Sequence, residues 1–136
     1  MVLVDTNVLI DVIQDDPQWA AWSVDQLAAQ AQVHRLAINP VIYAELSLSY
    51  SKIEALESAV ARMRLDFLEI PRGALFLAAK AFLRYRRRGG KRSNVLADFF
   101  IGAHAAVAGI QVLTRDTRRY AEYFPSVALI APQGAA

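Results

Sequence analysis

Short apolar runs alternating with helix-forming stretches constrain the fold of this chain more than any other feature. Val2-Leu3-Val4 reads as a buried strand, and Asp5-Thr6-Asn7 then supply helix-start chemistry before the periodic run Val8 to Ile13. Asp15-Asp16-Pro17 breaks that helix and opens another, which carries Trp19 and Trp22 to about residue 31. His34 to Ile38 is the next strand candidate, and Asn39-Pro40 is a cap and first-turn pair for a helix through Glu45. A helix from Lys52 to about Met63, a strand at Asp66–Ile70 and a helix at Ala74–Tyr85 follow. Ser93 or Asn94 is placed to cap a helix that holds Asp98 and ends at Gly109. Gln111–Thr114 and Val127–Ile130 read as strands flanking a short helix with Tyr120 and Tyr123. Strands alternating with helices predict an α/β class, with a parallel sheet and helices on both faces.

The chain has 136 residues and is 55% apolar, which fits one domain over residues 1–136 with a real core. It has no cysteine, so disulfides, thiolate nucleophiles and cysteine zinc sites are excluded. With two histidines only, a metal would be held by carboxylates, which suit Mg²⁺ or Mn²⁺. No export signal is recognisable, and the apolar stretch Val95–Ile110 is shorter than the roughly 20 residues of a membrane helix. A soluble cytoplasmic protein with no membrane partner is the expectation. Charge is split along the chain: residues 1–60 carry a net −6 and residues 61–136 a net +8. Such a split can form a basic face that attracts phosphate backbones.

Four acids stand out by their surroundings. Asp5 and Asp116 follow short apolar strands, which places them at the carboxyl edge of a parallel sheet, where ligands gather. Asp98 lies in Leu96-Ala97-Asp98-Phe99-Phe100-Ile101, and Glu45 in Val41-Ile42-Tyr43-Ala44-Glu45-Leu46. Carboxylates in apolar company are costly unless cations or donors satisfy them. Each has a structural reading alone: a helix cap for Asp5, a turn for Asp116, an ion-pair partner for Glu45 or Asp98. Converging on one cleft, they would bind one or two divalent cations and act on a phosphodiester.

Taken together the segments resemble a known family. Val2-Leu3-Val4-Asp5-Thr6-Asn7-Val8-Leu9-Ile10-Asp11 is similar to the opening of a PIN domain, and Pro40 to Leu46 to its glutamate-bearing helix. Asp98-Phe99-Phe100-Ile101-Gly102-Ala103-His104-Ala105 resembles its third acidic segment. Leu113-Thr114-Arg115-Asp116-Thr117-Arg118-Arg119-Tyr120 with Phe124-Pro125 resembles the fourth. Length and the ending Leu129-Ile130-Ala131-Pro132 are similar to VapC-type toxins of VapBC toxin–antitoxin pairs. The resemblance implies an α/β/α sandwich around four or five parallel strands, and a Mg²⁺- or Mn²⁺-dependent endoribonuclease. It makes Asp5, Glu45, Asp98 and Asp116 the catalytic, metal-binding acids, with Thr6, Asn7 and Thr114 orienting ligands and water through hydrogen bonds. It also implies an RNA substrate, a homodimer and a VapB-type antitoxin partner. Gly102 replaces an alanine common in relatives, a change expected to leave the chemistry alone.

The basic stretch Arg84–Arg92 reads as a flexible loop around Gly89-Gly90. Its Arg86, Arg87, Arg88, Lys91 and Arg92 are candidates for RNA binding, as are Arg115, Arg118 and Arg119 flanking Asp116, against solvated, antitoxin-contacting or acid-paired readings. Asn94 shares the Asp98 face if the helix starts early, but a cap is the simpler role. His104 lies six residues after Asp98, about 240° around a helix, and is rejected as a ligand. Asp11 reads as a solvent-facing helix position, against a place at the outer rim of the acidic cluster, and Trp19 and Trp22 as packing residues. An inert binding module and a DNA-cutting nuclease are the competing functions. A phosphatase is weaker, because Asp5-Thr6-Asn7 lacks a second aspartate two residues on.

Overall fold

The apolar runs become five short strands in a computed structural model that describes residues 1–92 and 95–133. They are β1 (Val2–Val4), β2 (Leu36–Ile38), β3 (Leu65–Phe67), β4 (Gln111–Leu113) and β5 (Leu129–Ile130). Seven helices connect them: α1 (Thr6–Ile13), α2 (Ala20–Val33), α3 (Pro40–Ser47), α4 (Ile53–Arg62), α5 (Arg72–Arg87), α6 (Leu96–Ala108) and α7 (Arg118–Tyr123). The predicted Ser93/Asn94 cap lies outside the described residues. Strand ends are shorter than the sequence suggested; β3, for instance, stops at Phe67, and beyond it only Leu68 N–H reaches Ile38 O, at 2.9 Å.

The sheet runs β3-β2-β1-β4-β5, and every pairing is parallel. The chain moves outward from β1 to β2 and β3, then crosses back to β4 on the other side of β1. The strand order therefore reverses between β1 and β4, the position at which open parallel sheets present a crevice. Right-handed crossovers set the helices on both faces, giving the α/β/α sandwich. Val2, Leu3 and Val4 are wholly buried, as are Ala37, Ile38, Val112 and Leu113, because a strand covered on both faces has no solvent side.

Local chemistry fixes the helices that bear the acids. Asn39 caps α3 by accepting the Ile42 N–H at 2.9 Å, with Pro40 in the first turn. Gly109, left-handed at φ 67°, ends α6. On the buried face of α6, Gly102 lies against Phe124: a Cβ there would sit 2.9 Å or nearer to three of its ring carbons. An alanine at this position is therefore not neutral for packing.

The basic stretch is helix only over residues 84–87; from Arg88 to Arg92, around Gly89-Gly90, it is the turn and loop expected. Arg84, Arg86 and Arg87 form the last turn of α5, where cations face the negative end of the helix dipole, and the chain leaves helix only from Arg88.

Candidate active site

The ends of β1 and β4 meet helices α3, α6 and α7 at the β1/β4 crevice. Asp5 follows β1 and occupies the N-cap position of α1, yet its side chain makes no capping bond. Instead Oδ2 accepts from Tyr120 Oη at 2.6 Å, Thr114 Oγ1 at 2.9 Å and Asn7 Nδ2 at 3.4 Å. Asn7 Nδ2 also lies 3.3 Å from Thr114 Oγ1, and the Asp116 N–H donates to that oxygen at 3.1 Å. The end of β1, the end of β4 and α7 are thus tied together through one buried carboxylate. Burial is the main reason the Asp5 carboxyl is held above its ordinary range, aided by the charge of Glu45 and opposed by these donors.

Glu45, on α3, accepts from Thr6 Oγ1 at 2.5 Å. Asp98, in the first turn of α6, receives no hydrogen bond and joins no ion pair among the described residues. Its carboxyl is pushed up to about 7, first by desolvation and then by the charges of Asp5, Glu45 and Asp116, with Arg119 pulling the other way. Asp116 sits differently. Arg118 grips both its oxygens, Nε to Oδ1 at 3.0 Å and Nη2 to Oδ2 at 2.8 Å, and this holds its carboxyl below the usual range. All four predicted acids therefore face one another electrostatically, from four separate chain segments.

The donor set suits a hard divalent cation, since it is all oxygen and anionic. It is not preassembled: among the described residues no three acid or histidine side chains are grouped closely enough to hold a metal ion. Thr6 engages Glu45 and Arg118 engages Asp116, so a cation would compete with these contacts. Asp98, whose ionisation is opposed by burial and by three neighbouring acids and which has no donor among the described residues, is the strongest sign that the residues fit a cation.

Other predicted positions fall elsewhere. Arg115 turns inward, its Nε 2.7 Å from Asp11 Oδ2 and its guanidinium 5.7 Å from the Trp19 ring centroid. Asp11 is 2% exposed and also accepts from Ser23 Oγ at 3.1 Å, so it does not face solvent as its helical position suggested. Arg88 lies 3.7 Å from Glu122 and over Tyr123. Arg86, Arg87, Lys91 and Arg92 are exposed, while the arginines whose charge bears on the acids are Arg118 and Arg119 of α7. His104 is buried against Asn39, Nδ1 to Nδ2 at 3.1 Å, and takes no part in the acidic cluster. Asn94 lies outside the described residues. Sequence reasoning missed Tyr120, which is 1% exposed and donates to Asp5. Its one signal was an aromatic four residues after Asp116, in the short helix that follows the Asp116 loop.

Comparison with known proteins agrees with this fold. The model of the PIN domain family matches residues 2–124. VapBC2 from Rickettsia felis, bound to a DNA fragment from its promoter, contains a chain 19% identical, aligned over 98% of this chain and 100% of that one, at TM-score 0.72. VapBC-1 from nontypeable Haemophilus influenzae gives 18% identity over 96% and 98%, at TM-score 0.71. FitAcB from Neisseria gonorrhoeae gives 23% over 96% of each chain, at TM-score 0.67. No curated protein sequence matches.

Proposed function

The chain belongs to the PIN domain family, and from that premise we propose that it is a Mg²⁺- or Mn²⁺-dependent endoribonuclease, the toxin of a VapBC-type toxin–antitoxin pair. The observation that carries the chemistry is Asp98: an unpaired carboxylate in an apolar helix, surrounded by three other acids. Such a cluster opposes folding by desolvation and repulsion unless cations offset it. The likeness to chains of VapBC complexes supports the toxin role and an antitoxin partner.

In this reading Asp5, Glu45, Asp98 and Asp116 hold the cation. When bound, it supplies a lowered pKa to water and neutralises charge developing on phosphate. The chain's own groups set the stage. Tyr120, Thr114 and Asn7 fix the Asp5 carboxylate through Oδ2 and so determine the direction in which it presents its charge. Thr6 does the same for Glu45. Thr114 further links Asp5 to the loop bearing Asp116, since the hydroxyl that donates to Asp5 also accepts the Asp116 N–H at 3.1 Å. Because Asp98 holds a proton up to about pH 7 without a cation, it releases that proton when a cation binds.

Purified protein incubated with mixed structured RNAs in Mg²⁺, Mn²⁺ or EDTA tests the proposal, with Asp98→Asn alongside. Metal-dependent cuts that fall at least ~1,000-fold in a folded Asp98→Asn protein are expected, as for loss of a charge-bearing catalytic group. Full activity in that variant would remove the site assignment. Cutting of DNA in place of RNA would favour the DNA-nuclease alternative.

A further inference from the structure

We propose that Arg119 is the site's phosphate-binding residue, its guanidinium donating to a non-bridging oxygen of the bound nucleic acid beside the acidic cluster. This rests on the phosphodiester-cleavage reading above and extends it to a residue outside the four acids.

The arginines around the crevice divide by what they touch. Arg115 is committed to Asp11, Arg118 to Asp116 and Arg88 to Glu122. Arg119, among the described residues, has neither an ion pair nor a hydrogen bond, and its Nε is buried with no acceptor. The Nη groups are not buried and have no acceptor among the described residues, so they are the donors open to a ligand from outside. The guanidinium is held in place by the Tyr85 ring, 5.0 Å from its centroid. Tyr85 is itself 8% exposed and anchored through its hydroxyl, which accepts the Arg92 N–H at 3.3 Å. Stacking of this kind orients an arginine without using its N–H groups.

Position adds the second argument. Arg119 is three residues after Asp116 and directly precedes Tyr120, whose hydroxyl donates to Asp5. Its charge reaches both Asp98 and Asp116. A phosphodiester approaching four carboxylates meets repulsion that a bound cation only partly cancels. A preorganised guanidinium at the same crevice supplies the remaining positive charge, in the planar fork that suits phosphate oxygens.

The test uses the full chain as wild type, Arg119→Ala and Arg119→Lys. Steady-state RNA cleavage in Mg²⁺ is measured beside the arginine Nε–H resonances during titration with inorganic phosphate. Arg119→Ala is expected to lower kcat/KM by ~10- to 100-fold, the worth of one charge-assisted hydrogen bond, with Arg119→Lys recovering part of it. The wild-type Nε–H signal assigned to Arg119 is expected to shift saturably with phosphate. Unchanged kcat/KM in folded Arg119→Ala overturns the proposal, and so does a signal indifferent to phosphate, which decides the matter if the alanine variant does not fold. If wild type cuts no RNA while Arg119 still responds to phosphate, the ribonuclease reading fails and the phosphate site stands.

Discussion

Two regions of this molecule treat carboxylates in opposite ways. At the amino end of β2, beside the edge strand β3, Asp66 is gripped by both Nε (2.6 Å) and Nη2 (2.8 Å) of Arg35. That pair is exposed and locally neutral, and the arginine lowers the Asp66 pKa. At the carboxyl edge, Asp98 has no cation in contact, and burial with three acidic neighbours pushes it up to about 7. A fold selected for stability alone would treat both ends like the first. Uncompensated charge confined to one edge, at the point where strand order reverses, marks the place where the structure gives up stability to another purpose.

The largest expected effect follows from that difference. Asp98 ionises near pH 7 when folded and near its ordinary value of 3.8 when unfolded, so between these limits the folded state binds the extra proton. Stability of the metal-free protein should therefore fall as pH rises through this window, by on the order of 1 kcal/mol per unit. Asp5, also raised, acts in the same direction. His104, whose burial lowers its pKa, opposes them below about 6.5 by losing stability as pH falls. Because His104 is common to both proteins, the difference between wild type and Asp98→Asn isolates the acid. Urea denaturation from pH 4 to 8 should show Asp98→Asn gaining on wild type as pH rises, and Mg²⁺ should raise the stability of wild type far more than that of the variant. A gap independent of pH would mean that Asp98 does not sit among the other charges.

Asp11 sharpens the contrast from within the same half of the molecule. It is as buried as Asp5, but Arg115 pairs with it at 2.7 Å and Ser23 donates to it. Removing this carboxylate strands the Arg115 guanidinium against Trp19 and loosens the loop that carries Asp116. Asp11→Ala should destabilise by ~2–3 kcal/mol, reduced from the fully buried case because Arg115 is partly solvated. Two acids shielded from solvent in different places would then give opposite signs: loss of Asp11 harms the fold, and loss of Asp98 relieves it. Equal signs in denaturation midpoints would undo the distinction between a structural and a functional carboxylate.

Much of the acidic edge was legible in the sequence, for a physical reason. A carboxylate at the end of an apolar strand, or inside an apolar helical run, violates the burial pattern locally, so Asp5, Glu45, Asp98 and Asp116 show against their neighbours. The parallel sheet was legible for the same kind of reason, since unbroken apolar runs with helices between them have few other solutions. What could not be read were pairings across long sequence separations. Asp11 meets Arg115 at 104 residues' distance, so its helical position alone pointed to solvent. Tyr120 meets Asp5 across 115 residues. Arg84 to Arg92 misled differently: the double glycine suggested a loop, but arginine is a good helix former and favours a last turn, so α5 runs on to Arg87.

The smallest effect belongs to the far edge. Asp66→Asn removes one hydrogen-bonded charge from a pair whose arginine side chain is 76% exposed. Water solvates both groups nearly as well apart as together, and holding the long Arg35 chain in one rotamer costs entropy that offsets the attraction. The depressed Asp66 pKa means that whatever stability the pair adds is present above its ordinary value and lost only as pH falls below about 4. At pH 7 the denaturation midpoint of Asp66→Asn should therefore match wild type, and RNA cleavage should be unchanged because no element linking β3 to the β1/β4 crevice is altered. A large loss of stability here would show that the two edges do not differ in how they bear charge, and that exposure is a poor guide to what a carboxylate does in this fold.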